Sequence, residues 1–276
     1  MDFAYTSCTS MAPRSKPPAA PKKRRLGDLS VQLLPLRSLP EIREGDDLAR
    51  LILQVARGER ASLRHGDVLV VAQKIVSKAE GCVARLSSVA PSERALQLAA
   101  ARRKDPRLVE VILRESRRIV RADPVLIVET HHGFVCANAG VDHSNVPGED
   151  VVTLLPRDPD GSARRLASEL RKLTTKRVAV IISDTFGRPW RLGLTNVAIG
   201  AAGVPVLRDL RGRRDRQAKR LQATILAVAD ELAAAAGLLM GKAEGIPAVV
   251  IRGYRYRPAD ERATAIIRPA AEDLFR

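Results

Sequence analysis

Arg177-Val178-Ala179-Val180-Ile181-Ile182-Ser183-Asp184-Thr185-Phe186-Gly187-Arg188 is the stretch on which the reading of this chain turns. Its apolar run has no polar alternation, as expected of a strand buried on both faces. The polar residues after Ile182 then stand at the strand's carboxyl end, where α/β proteins commonly place ligands. A second such run, Val68-Leu69-Val70-Val71-Ala72, is opened by Gly66-Asp67.

Working outward, Val31–Leu36 and Ala248–Arg252 read as further strands, and Val125–Val128 and Gly133–Ala137 as a pair joined through His131-His132-Gly133. Asp46–Val55, Pro91–Arg103, Asp105–Arg118 and Ala163–Leu173 carry helical spacing. Leu221–Leu239, rich in Ala and Leu, is the longest helical pattern. Strands and helices alternate irregularly, which predicts an α/β (mixed α+β) fold with mixed sheets and no clean doubly wound order. No repeat of solenoid period occurs.

The chain has 276 residues, 45% of them hydrophobic, enough for a sizeable core. Residues 1–29, with the run Lys22-Lys23-Arg24-Arg25, read as a disordered basic tail, and 30–276 as the folded domain. No apolar run is long enough to span a membrane, and no secretory h-region is visible. Cys8, Cys82 and Cys136 are isolated, without zinc or disulfide spacing, so reduced thiols and a cytoplasmic location are expected. The net charge of +16 attracts polyanions. With 3% aromatic residues, few stacking platforms are available for single-stranded bases, so no specific nucleic acid is expected. A basic nucleic-acid-binding protein remains the rival from another functional class.

The P-loop, Rossmann, HExxH and GxSxG motifs are all absent, so a bound nucleotide would need another device. Three clusters can carry chemistry. Gln73 to Gly81 brings Lys74, Ser77 and Lys78 to a strand end, as a loop that either holds phosphate oxygens or is simply a charged surface. Asn138 to Gly148 supplies Asp142, Ser144 and Asn145, hard oxygen ligands or an Asx-rich turn. Ser183 to Arg191 pairs Asp184 with Thr185, suited to Mg²⁺ or Mn²⁺, with Arg188 and Arg191 able to fork onto phosphate. A strand-ending turn capped by Asp184 explains the same composition. Taken together, the acidic loops and basic stretches outline a metal–phosphate site.

These segments resemble a known family. Gly66–Gly81, Asn138–Val146, Asp158-Pro159-Asp160-Gly161-Ser162-Ala163, Asp184–Arg191, Ala198-Ile199-Gly200, Ala229–Ala234 and Met240–Gly253 are similar, in order, to the coenzyme F-420-0:L-glutamate ligases. The resemblance implies a GTP-dependent ligase that joins L-glutamate to coenzyme F-420-0, and then to F-420-1, by γ-glutamyl amide bonds through an acyl phosphate. It implies Mg²⁺ or Mn²⁺, K⁺ stimulation and an intimate homodimer whose fold is neither P-loop nor Rossmann. By motif, Asp142, Asp184, Thr185 and Glu244 fall at divalent-metal positions, and Leu39, Pro40, Glu41, Ile42, Gln73, Lys74, Lys78 and Asn145 at GTP contacts. One segment departs from the pattern. Arg216–Thr224 has Ala218 where the family commonly has glycine, which leaves a metal-dependent amide ligase with another phosphorylated acid acceptor open.

Overall fold

The computed structural model describes residues 30–146, 148 and 150–273; the tail 1–29, Pro147, Glu149 and 274–276 lie outside the described residues. In chain order the elements are β1 (Gln32–Leu36), α1 (Leu48–Gly58), β2 (Val68–Ala72), α2 (Gln73–Ala79), β3 (Val83–Arg85), α3 (Glu93–Ala100), α4 (Pro106–Arg114), β4 (Ser116–Arg121), β5 (Ile127–Thr130), β6 (Val135–Ala137), β7 (Val151–Thr153), α5 (Pro159–Thr174), β8 (Ala179–Arg188), β9 (Arg191–Ala202), β10 (Arg208–Asp209), β11 (Ile225–Leu226), α6 (Val228–Met240) and β12 (Ala248–Arg252).

The central sheet runs β1-β12-β2-β8-β9. Only β2 and β8 are parallel; the other neighbours are antiparallel, so the sheet is mixed, as expected for the fold class. The two apolar runs sit in its middle, and their pleat sends alternate residues to opposite faces. Leu69, Val71, Val180 and Ile182 join one core with Ile52 and Leu53 of α1 and Leu166 and Leu170 of α5. Val68, Val70, Ala179 and Ile181 join another with Ala229, Leu232, Ala233 and Ala236 of α6. Both faces being covered explains why neither strand alternates in polarity. A third core, around Ile112, Leu126 and Val128, holds α3, α4 and the β4-β5-β6 sheet together.

Helix starts follow their caps. The side chains of Asp47, Asp105 and Asp158 accept amide hydrogen bonds at the heads of α1, α4 and α5, and Pro106 and Pro159 occupy the first helical position. The Asp158-Pro159-Asp160 motif is therefore structural. Buried Asp160 also accepts from the amides of Ala201 and Ala263, each at 2.9 Å, stitching α5 to β9 and to the C-terminal segment.

Several boundaries differ from the sequence reading. Residues 73–79 form a short helix, α2, whose buried side includes Gln73, Val76, Ser77 and Lys78. Asp184 does not end a strand at a turn; β8 runs ten residues to Arg188 and pairs with a twelve-residue β9 that its Gly-, Thr- and Asn-containing sequence concealed. The helix expected over 105–118 stops at Arg114, and β4 follows. The long helix expected from Leu221 begins only at Val228. Residues 208–226 form instead a small hairpin, where Asp215 Oδ1 accepts from the amides of Gln217 and Lys219 at 2.8 and 2.9 Å.

Candidate active site

The parallel ladder between β2 and β8 ends at Ala72 opposite Ser183. Gln73 and Asp184 are thus the first residues past the same end of that ladder. β12 runs the other way, with Ala248 opposite Val71, so the loop before it reaches that end too. Leu36, the last residue of β1, pairs with Ala248 and delivers the turn 39–42 there.

A cavity of about 240 Å³ opens where these segments meet. Its lining includes Leu39, Pro40, Glu41, Ile42, Gln73, Lys74, Lys78, Asn145, Asp184 and Thr185. Every expected nucleotide contact, and two of the expected metal ligands, therefore share one cleft. Asp142 lines an adjoining cavity of about 280 Å³, together with Cys136, Asp184, Thr185 and Lys242. Asp184, Thr185 and Lys242 thus border both cavities. Glu244 lines neither; it sits on the exposed loop after α6, its carboxylate accepting from the Ala243 amide at 2.9 Å. Arg188 and Arg191 lie on the exposed β8–β9 hairpin, where Arg188 donates to the carbonyl of Leu192 at 2.7 Å; neither lines either cavity, although Gly187 and Leu194 beside them border the second.

The charges in the cleft are arranged in pairs. Lys74 Nζ lies 2.7 Å from Asp142 Oδ2 and also contacts Ser144. Lys78, with 9% of its side chain exposed, meets Glu41 Oε1 at 2.5 Å. Burial works to raise the Asp142 carboxyl, but the hydrogen bonds from Lys74 and from the Ser144 amide and hydroxyl outweigh it and hold it below its ordinary value. Asp184 makes no ion pair among the described residues. Burial first, and then the charge of Asp142, push its carboxyl up to about 6, against the opposing Thr185 amide, Lys242 and Lys74. Gln73 is buried, its Oε1 accepting from the Ser77 hydroxyl at 2.8 Å, while its Nε2 has no acceptor among the described residues.

This donor set fits a divalent cation. Two carboxylates and a hydroxyl are hard oxygen donors, and the carboxylate raised by burial and by its like-charged neighbour is one that a bound cation would keep ionised. Phosphate oxygens suit the rest of the cleft, where Lys74 and Lys78 are charged donors and Gln73 Nε2 is an unused one.

Some lining residues were not singled out in the sequence. Asn196 of β9 receives the Thr185 hydroxyl at 3.3 Å and extends Nδ2 toward Met240 Sδ, 3.5 Å away. Its position was hidden as long as β9 was not read as a strand. Lys242 and Gly245 belong to the glycine-flanked segment Gly241-Lys242-Ala243-Glu244-Gly245 between α6 and β12. A lysine between two glycines ahead of a buried strand was a usable signal for Lys242.

Fold and site together define an α/β protein with a cleft for anionic oxygen beside hard oxygen donors, formed without a glycine-rich phosphate loop. The chain belongs to the F420-0:gamma-glutamyl ligase family, whose model matches residues 37–253. It is 51% identical over 259 residues to the coenzyme F420:L-glutamate ligase of Methanopyrus kandleri, covering 91% of this chain and 99% of that one. The corresponding ligase of Methanothermobacter thermautotrophicus is 47% identical over 252 residues, covering 90% of this chain and all of the other. That of Archaeoglobus fulgidus is 45% identical over 249 residues, covering 90% and 97%.

Proposed function

We propose that this chain joins L-glutamate to coenzyme F-420-0 through a γ-glutamyl amide bond, driven by GTP. The observation that carries the reading is the wall of Asp184, Thr185 and Lys242 shared by two cavities. A group-transfer enzyme needs such a wall, because donor and acceptor must meet across it. The larger set of basic and amide donors, Lys74, Lys78, Gln73 and Asn145, lies on the side of the first cavity and takes the nucleotide. The adjoining cavity, with Asp142 and Gly140, takes the acceptor carboxylate.

Amide formation from a carboxylate at neutral pH requires activation, since oxide is a poor leaving group. The terminal phosphoryl group of GTP passes to an acceptor carboxylate oxygen, and GDP leaves. The amine of glutamate then attacks the acyl carbon of the mixed anhydride. The amine loses a proton, the C–O bond breaks, and orthophosphate departs. A second round on the new terminal carboxylate extends the product to F-420-2.

Lys74 and Lys78 orient the phosphates as point charges and exchange their present partners, Asp142 and Glu41, for phosphate oxygens. Lys242 holds the transferring oxygens next to Asp184. Asp142, Asp184 and Thr185 would hold Mg²⁺ or Mn²⁺, which would supply positive charge against the phosphate oxygens. Homodimerisation belongs to the same reading; Leu192, 98% exposed at the tip of the β8–β9 hairpin, and Leu194 supply an apolar surface for a second copy.

The deciding experiment is mass spectrometry of the coenzyme precursor after incubation with the protein, GTP, Mn²⁺ and glutamate. A product heavier by one glutamyl residue, formed together with orthophosphate and only with GTP, is expected. Equal product without GTP, or reaction only with a different phosphorylated acid, would overturn the reading.

A further inference from the structure

The central strands β12, β2 and β8 have a second edge. The cleft described above lies past Ala72, past Ser183 and before Ala248. At the other end, Val68 pairs with both Ala179 and Ile251, roughly 16 Å away along five-residue strands. There the chain enters β2 and β8 and leaves β12, and the three crossings border an open cavity of about 840 Å³.

This cavity is strongly basic. Arg64 and His65 come from the entry to β2, Arg171 from the last turn of α5, Arg177 from the entry to β8, and Arg252 and Arg255 from the exit of β12. Against five arginines stands one carboxylate, Asp67, a net of +4 with His65 neutral. That carboxylate is already committed. Asp67 is 3% exposed at its side chain and accepts from Arg252 Nη2 at 2.7 Å, Arg252 Nε at 3.1 Å and the Arg64 amide at 2.8 Å. Arg171 also offsets the carbonyl end of α5. The guanidinium groups of Arg64, Arg177 and Arg255 have no carboxylate partner among the described residues.

The rim is held by backbone. Gly66 N–H donates to Arg177 O at 2.9 Å, Ala179 N–H to Asp67 O at 3.0 Å, and Arg252 Nη2 to Ser62 O at 2.7 Å. Tyr254 and Tyr256 stack on one another along one wall, 6.0 Å between ring centres. Like charges on three separate segments repel one another, and a protein holds them around one concavity at some cost to stability unless an anion neutralises them. Guanidinium forks match phosphate oxygens in pairs, and the volume lies in the range of small-molecule sites. The charges line a concavity between strand ends rather than a ridge or a helix face, which favours a compact ligand over a nucleic-acid strand.

We propose that this cavity is a second anion site, distinct from the cleft at the opposite sheet edge, and that it takes a small molecule carrying two or more phosphate groups. The inference does not rest on the ligase reading.

The test is hydrogen–deuterium exchange of the full chain with inorganic pyrophosphate and, separately, with ATP, because exchange reports location whatever binds in the other cleft. Protection of the amides at 64–67, 177–179 and 252–256 by either probe is expected. In Arg177→Gln/Arg255→Gln, whose side chains are exposed and whose loss leaves the fold intact, the midpoint for that protection should rise about tenfold or more, with glutamate ligation unchanged. No protection there by either probe, or the same midpoint in the variant, would overturn the proposal. So would protection by a single-stranded or duplex oligonucleotide at far lower concentration, which assigns the face to nucleic acid. Protection that appears without any probe as protein concentration rises would overturn it too, by assigning the face to a second copy.

Discussion

Lys78 Nζ lies 2.5 Å from Glu41 Oε1, joining α2 to the turn 39–42 inside the cleft. The pair separates two roles for Lys78. If the lysine serves the nucleotide, Lys78→Met weakens GTP binding about ten- to a hundredfold, the worth of a charged hydrogen bond. Glu41→Gln then leaves GTP affinity unchanged or raises it, since it releases the ammonium. If the lysine only anchors the turn, both variants lose affinity alike. Calorimetric titration of GTP into each variant distinguishes the two outcomes.

Asp184 gives a stability prediction with a definite sign. Its carboxyl is pushed from 3.8 up to about 6 by burial. The folded chain therefore keeps a proton that the unfolded chain has released, and stability falls as pH rises from about 4 through about 6. In the absence of divalent cation, Asp184→Asn should be more stable than the wild-type chain at pH 7, by at most about 3 kcal/mol, and melt higher. The gap should close near pH 4. The same variant should lose ligation and any stabilisation by Mn²⁺. Thermal melts at the two pH values, with and without Mn²⁺, check it; a variant less stable than wild type at pH 7 would contradict the burial argument.

Cys136 should be inert. Burial, helped by the charge of Asp184, pushes its thiol up to about 12. Only the thiolate alkylates, so iodoacetamide at pH 9 should spare Cys136 in the folded chain and label it in denaturant. Because an unperturbed thiol releases its proton near 9.0, this residue also lowers stability as pH rises above that value. Rapid native labelling, mapped by peptide mass spectrometry, would show that the interior around β6 is open.

Gly200→Ala should destabilise the fold by about 1–3 kcal/mol. A Cβ there would stand 2.4 Å from the carbonyl oxygen of Pro159 and 2.5 Å from its carbon, and backbone at the head of α5 cannot step aside. Gly187→Ala is the control. Its Cβ would meet nothing nearer than Leu194 at 4.0 Å, and a denaturant midpoint close to wild type is expected. Equal midpoints for the two variants would refute close α5–β9 packing at Gly200.

Ala218 occupies the left-handed region at φ 60°, at the turn of the 208–226 hairpin. Left-handed backbone costs a residue with a Cβ roughly 1 kcal/mol. Ala218→Gly should therefore slow exchange of the Gly212 and Leu221 amides, which bond across the hairpin, without altering β2 or β8. Faster exchange at those amides would mean that glycine's added freedom in the open state outweighs the relief.

The strands Val68–Ala72 and Ala179–Ile182 were legible in sequence, because continuous burial on two faces leaves an unbroken run of apolar residues, as it also does in Ala248–Ile251. Asp184 was legible for the same reason, since it stands two residues past the end of such a run. The caps at Asp47, Asp105 and Asp158 are local signals, but helical spacing alone placed the head of α5 at Ala163, four residues after Pro159 where it begins. β9 was not, because its polar half pairs with β8 beyond the sheet's covered region and carries no apolar signature. Nor was α2, whose two lysines fitted either a phosphate-holding loop or a charged surface loop, whereas the segment is helical and Lys78 is buried against Glu41 from 37 positions away. Local composition determined which residues could carry charge or bind oxygen. Only the tertiary structure decided which of them share a cleft, because the mixed order β1-β12-β2-β8-β9 brings strand ends far apart in the chain to one edge, and five arginines to the other.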